Sequence, residues 1–228
     1  MIYKFNGLKF TLLQLCQIIS YKNHHKDLLK ELKKKMEGKK VLLCGSGESL
    51  KNLASIKDNY DVICGTNGLL RIKNFYNEFT YFFIEDRKAF NNYVNENINE
   101  NKLISVAGMP LYKSRQLNFL HKYGFPLFFK NPFFSRKGNC FFWGGSVAFF
   151  SLCVIIFCIP KKIGIIGIDM IDDKAYAFEN YHQAGDSKTV PDFLISRHCL
   201  KHFIHNADKY FSGVEIKDHG YGRVFEKT

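Results

Sequence analysis

The residues with the clearest chemical signature follow the apolar run Val41–Cys44: Gly45-Ser46-Gly47-Glu48-Ser49-Leu50. Glycines let the chain turn sharply and bring backbone N–H groups close to a ligand. Ser49 can cap a following helix, whose N-terminus favours an anion. Strand, glycine turn and helix start together form a common cradle for a nucleotide phosphate. The same residues also suit an ordinary tight turn in an α/β domain. The third glycine of the dinucleotide fingerprint and the Gly-Lys-Ser/Thr of a P-loop are both missing.

Further polar groups stand after other apolar runs. Thr66-Asn67-Gly68 follows Asp61–Cys64, Glu85-Asp86 follows Thr80–Ile84, and Asp169 follows Ile163–Ile168. Trp143-Gly144-Gly145-Ser146 opens the apolar segment 147–159 as a second glycine-rich helix start. Each has a plain structural use: a left-handed turn at Asn67-Gly68, a cap at Glu85-Asp86, a loop anchor at Asp169. Their coincidence after successive strands points to a ligand site. The polar stretch 170–190 adds Tyr176, Tyr181, His182, Asp186, Ser187 and Lys188. Tyrosine hydroxyls can donate to a departing phosphate oxygen, and a histidine can act as a base near neutral pH. His198, His202 and His205 share one face of a predicted helix. No carboxylate or cysteine partner stands at diagnostic spacing, so a solvated basic face is the preferred reading over a metal site.

The elements that must position these groups alternate. Strands are predicted at 41–44, 61–64, 80–84, 103–106, 163–168 and 214–216. Helices are predicted near 49–56, to about 73, to about 95, and at 112–123, 145–159 and 192–208. The expected fold is α/β, a single Rossmann-like, doubly wound and mainly parallel sheet with helices on both faces, in which ligands bind beyond the carboxyl ends of the strands. Two regions are expected: a basic helical extension over 1–38 and a nucleotide-binding catalytic domain over 39–228.

The chain has 228 residues and a formal net charge of +12, which favours an acidic partner. Segment 22–40 alone holds eight lysines. No nucleic-acid-binding motif accompanies them, so nucleic acid is not the expected partner. An amphipathic basic helix can lie on an anionic membrane or expose a solvated face. The seven cysteines form no Cys-x-x-Cys pair and read as reduced, buried small hydrophobes, which fits a cytoplasmic protein. The longest apolar run, 147–159, is short for a membrane span, and no signal peptide is evident.

Over roughly residues 39–217 the chain resembles the bacterial sialyltransferases of glycosyltransferase family 42. The resemblance rests on Gly45–Leu50, Asp61-Val62 with Asn67, Gly144–Val147, Lys161/Lys162-Ile163, Gly167-Ile168-Asp169 and Tyr176-Ala177-Phe178. It implies sugar transfer from a CMP-sugar donor to a surface glycan acceptor, with no metal required. It implies that Gly47, Ser49 and Asn67 hold the nucleotide and that Tyr176 serves the leaving group. The base is His182, or Asp186 within Gly185-Asp186-Ser187-Lys188, which stands where the family has Gly-His-Ser-Lys. The chain departs from the family at Glu48, where proline is usual, at Ile171, where a tyrosine is expected, and at Gly145-Ser146, in place of Thr-Ser-Gly. A second resemblance, to proteins like archaeal 6-hydroxymethylpterin diphosphokinase, rests on Thr80–Asp86, Gly144–Val147 and Gly167–Asp169. It implies ATP chemistry with Asp86 and Asp169 holding Mg²⁺. A third expectation is a non-catalytic accessory protein of surface-carbohydrate synthesis. Peripheral contact with the inner membrane face through the basic helix accompanies the transferase reading.

Overall fold

Strands β3 (Lys40–Cys44), β4 (Val62–Thr66), β5 (Tyr81–Ile84) and β8 (Lys162–Ile166) are buried almost end to end. Runs rich in Val, Ile, Leu and Phe without polar alternation belong in a parallel sheet covered on both faces. The computed structural model describes residues 2–5, 8–11, 22–71, 77–85, 90–91, 99–106, 115–117, 141, 146–170 and 190–221. With β6 (Leu103–Val106), β7 (Arg115–Leu117) and β9 (Glu215–Asp218) these strands form a seven-stranded sheet in the order β7-β6-β5-β4-β3-β8-β9. Every pairing in it is parallel. The chain therefore winds outward from β3 in one direction through β7, then returns to place β8 on the other side of β3. The fold is a Rossmann-like α/β fold, and its topological switch point lies between β3 and β8.

Successive side chains of β3 supply the two cores. Val41 and Leu43 face a core built with α1 (Lys22–Met36), α3 (Val147–Phe157) and α4 (Val190–Tyr210). Leu42 and Cys44 face the other core, closed by Leu50 and Leu53 of the short helical stretch through α2 (Leu53–Ile56), and by Leu69, Leu70 and Phe79. Helix α3 is apolar on every side and fully enclosed, apart from Phe157 at its end. It leads through a tight turn into the start of β8. Its 11 residues, at about 1.5 Å each, match the length of the five-residue strands, so its N-terminus lies toward their carboxyl ends.

Two local expectations change, and α1 packs on the sheet. Leu28, Leu29, Leu32 and Met36 of α1 are buried in the same core as the sheet, and Glu31 joins Arg115 and the Tyr81 hydroxyl. Ile2–Phe5 (β1) and Leu8–Thr11 (β2) pair as an antiparallel hairpin rather than helix. Residues 115–117, expected in a helix over 112–123, form β7 at the sheet edge. Leu117 is buried and Arg115 lies over the Tyr81 ring, 5.9 Å from its centroid, so tertiary contacts override local preference. Among the described residues no helix is long and apolar enough to cross a membrane.

Candidate functional site

At the switch point the carboxyl ends of β3 and β8 are locked together by glycines. Gly45 N–H donates to the Ile166 carbonyl at 2.8 Å and Gly47 N–H to the Gly167 carbonyl at 2.7 Å. A Cβ on Gly45 would lie 2.2 Å from the Gly167 oxygen, so only glycine allows this approach. Gly167 has φ +69° and Met170 φ +49°, and this pair of left-handed residues brackets Asp169 and turns its side chain back toward β3.

Asp169 is 2% exposed and fully engaged. Its Oδ2 accepts Ser49 N–H at 2.9 Å. Its Oδ1 accepts the Ser49 hydroxyl at 2.5 Å and Tyr221 N–H at 2.9 Å. The Ser49 oxygen in turn accepts Gly167 N–H at 2.8 Å. The family resemblance assigns Gly47 and Ser49 to the nucleotide; in the structure their amides are bonded to the Gly167 carbonyl and the Asp169 carboxylate. Ser49 does not cap the following turn through its own side chain. It ties that turn to β8.

Ser46 and Glu48 of the turn are half-buried. Glu48 pairs with Lys51 at 3.2 Å. Glu48 is therefore directed at a lysine of its own turn. Asn67, at the end of β4, accepts Glu85 N–H at 2.6 Å through its side-chain oxygen and so holds the carboxyl ends of β4 and β5 together. Thr66 makes the equivalent link from β4 to the Cys44 carbonyl at 3.2 Å. Ser146 is the N-cap of α3 and accepts Phe149 N–H at 3.2 Å. The structure thus brings Gly45, Ser46, Gly47, Ser49 and Asp169 into one cluster, with Asn67 and Ser146 at neighbouring element ends. Gly144, Gly145, Asp86, Tyr176, His182 and Asp186 lie outside the described residues, as does Ile171.

Residues 219–221 reach this edge from β9. Tyr221 lays its N–H on Asp169, and its hydroxyl accepts from the Asn52 side chain at 2.8 Å. His219 meets the Tyr60 hydroxyl at 2.7 Å, and a Cβ on Gly164 would collide with that hydroxyl. Burial, and then the charges of Lys217 and Lys162, hold the His219 pKa below its ordinary value, which favours a neutral imidazole. Burial pushes Tyr60 up to about 12, so the phenol keeps its proton. The only sequence sign of this contribution was the alternation that put a last strand beside the sheet. The pairing of β9 with β8, which brings 219–221 over Asp169, has no local signature.

The described cysteines 44, 64, 153, 158 and 199 are free and buried, as expected. Burial raises their pKa values, to about 12 at Cys158 and about 11 at Cys199, so they are protonated packing groups. His198 and His205 are exposed on α4 and His202 is half-buried between them. Among the described residues no group of three His, Cys, Asp or Glu could hold a metal ion. Compared with protein-family models and with curated proteins, the chain matches none.

Proposed function

We propose that the protein is a sialyltransferase-like glycosyltransferase that moves a sugar from a CMP-sugar donor to a surface glycan acceptor. The observation that carries this reading is the glycine-locked turn of β3 at the switch point, where Rossmann-like sheets bind nucleotides. The backbone N–H groups of the half-buried Ser46 and Glu48 are the ones this reading offers to the donor phosphate, since those of Gly47 and Ser49 are bonded within the chain. In the reaction the acceptor oxygen bonds to the anomeric carbon as the bond from that carbon to the CMP phosphate oxygen breaks. The acceptor proton passes to a base, for which His182 and Asp186 are the candidates, and Tyr176 donates to the leaving phosphate.

The Mg²⁺-dependent diphosphokinase reading requires Asp169 to face a metal ion together with Asp86. A buried carboxylate that accepts from Ser49 and Tyr221 on both oxygens does not suit that role. Calorimetric titration with CMP and with ATP, each with and without EDTA, tests the choice. CMP binding indifferent to EDTA is expected, and ATP binding that needs Mg²⁺ would overturn it. Transfer from CMP-sialic acid to an acceptor panel then separates an enzyme from a nucleotide-binding accessory protein. Loss of turnover with retained CMP binding in His182→Ala or Asp186→Ala would identify the base.

A further inference from the structure

The amino-terminal edge of the sheet, opposite the candidate site, carries an isoleucine in an unusual position. Ile159 follows the last turn of α3, at the place where a helix commonly ends in a left-handed residue and where glycine is strongly favoured. It has φ +55°, a genuine outlier for a β-branched residue, and it precedes Pro160, which ordinarily drives its neighbour into extended conformations. Its side chain is 49% exposed although Cys158 and Pro160 on either side are buried. Backbone strain and water exposure are both unfavourable here, and glycine would relieve both.

The surroundings give the position a use. Gly38 N–H donates to the Ile159 carbonyl at 3.0 Å, which fixes the turn after α1 beside it. That turn presents Lys39 and Lys40, and the next turn presents Lys161, all exposed. The last turn of α1 adds exposed Lys34 and Lys35. Three acidic groups of this edge are engaged, Glu37 with Lys33, Glu215 with Lys162 and Asp61 with the Lys40 backbone N–H, and Asp58 is exposed before β4. An apolar tip within a field of unpaired lysines matches a surface that is negative outside and apolar a few ångströms beneath.

We propose that this edge docks on an anionic lipid bilayer, with Ile159 entering the headgroup–acyl boundary and the lysines on the headgroups. The apolar face of α1 cannot serve instead, because it is buried in the core. The docking edge is remote from the glycine turn, so it holds the protein at the membrane while the carboxyl edge of the sheet faces the aqueous phase. The proposal does not depend on which nucleotide binds there.

Sedimentation of the full chain with vesicles of phosphatidylcholine containing phosphatidylserine is the test, with pure phosphatidylcholine vesicles alongside. Binding to the anionic vesicles alone is expected, weakened at high salt but unaffected by inorganic phosphate at constant ionic strength. Ile159→Gly should weaken partitioning about tenfold while raising the midpoint of thermal unfolding. Lys161→Glu and Lys39→Glu should each weaken it about fivefold or more. The proposal is overturned if the intact protein ignores anionic vesicles, if inorganic phosphate releases it, or if Ile159→Gly binds as tightly as the original chain.

Discussion

Replacing Asp169 with asparagine changes little in shape but removes one acceptor from a buried network. The carboxylate receives Ser49 N–H, the Ser49 hydroxyl and Tyr221 N–H. In either orientation the new NH₂ group faces a backbone N–H, that of Ser49 or that of Tyr221. One charge-assisted hydrogen bond is lost, worth about 1.5–3 kcal/mol, and one buried donor is left without an acceptor, which costs about 1–3 kcal/mol. The sum, roughly 2.5–6 kcal/mol, is a large part of the ~5–15 kcal/mol that holds a domain together. Urea unfolding should show a lower midpoint at unchanged slope, and the melting temperature should fall by about 10 °C for a chain of this size. The sign is what decides. A carboxylate kept in an open site for a cation repels its surroundings until the cation arrives, and its amide leaves the free protein as stable or more so. An Asp169→Asn midpoint within about 0.5 kcal/mol of the original, or above it, would refute the structural role assigned to the Ser49–Asp169–Tyr221 network.

Other consequences are equally specific. Leu32 is fully buried under the sheet, so Leu32→Ala should cost about 2–5 kcal/mol in urea unfolding; a negligible change would show that α1 is an appendage after all. Gly45→Ala forces a methyl against the Gly167 carbonyl and should cost about 1–3 kcal/mol, with CMP affinity falling alongside stability. Burial and lysine charges depress His219, and burial with His198 and His205 depresses His202, from the ordinary 6.5. The unfolded chain therefore binds more protons than the folded one just below that value. Stability should be fully present above about pH 7 and decline as pH falls below about 6.5, and His219→Gln should flatten part of that slope.

Much of the fold was legible because a buried parallel strand writes itself as a short continuous apolar run. The strands beginning near 41, 62, 81, 103 and 163 were placed to within a residue or two for that reason. Helix α3 was equally clear, with Ser146 before its first turn and Pro160 beyond its end. The three-residue β7 was not, since so short a segment has no period of its own. Its state follows from Leu117 finding the core and Arg115 reaching Glu31 of α1. The apolar stripe of α1 was visible too, but a stripe does not say whether a sheet or a membrane covers it.

The sequence by itself determined which residues stand at the strand ends: Gly45, Gly47, Ser49, Asn67 and Asp169 follow apolar runs, and period and composition are local properties. Only the tertiary structure decided what those residues do. Ser49 and Asp169 are 120 residues apart, and the placement of β8 beside β3 joins them. Once joined, the Asp169 carboxylate takes the Ser49 amide and the Gly167 carbonyl takes that of Gly47, while Ser46 and Glu48 stay half-buried. A hydrogen-bond donor can serve its own chain or a ligand, and which it serves depends on a neighbour that local sequence does not name. The same holds at the opposite edge, where Ile159 reads as the end of an apolar helix. Its left-handed backbone and exposure are tertiary facts, seen where Gly38 of the turn after α1 donates to its carbonyl.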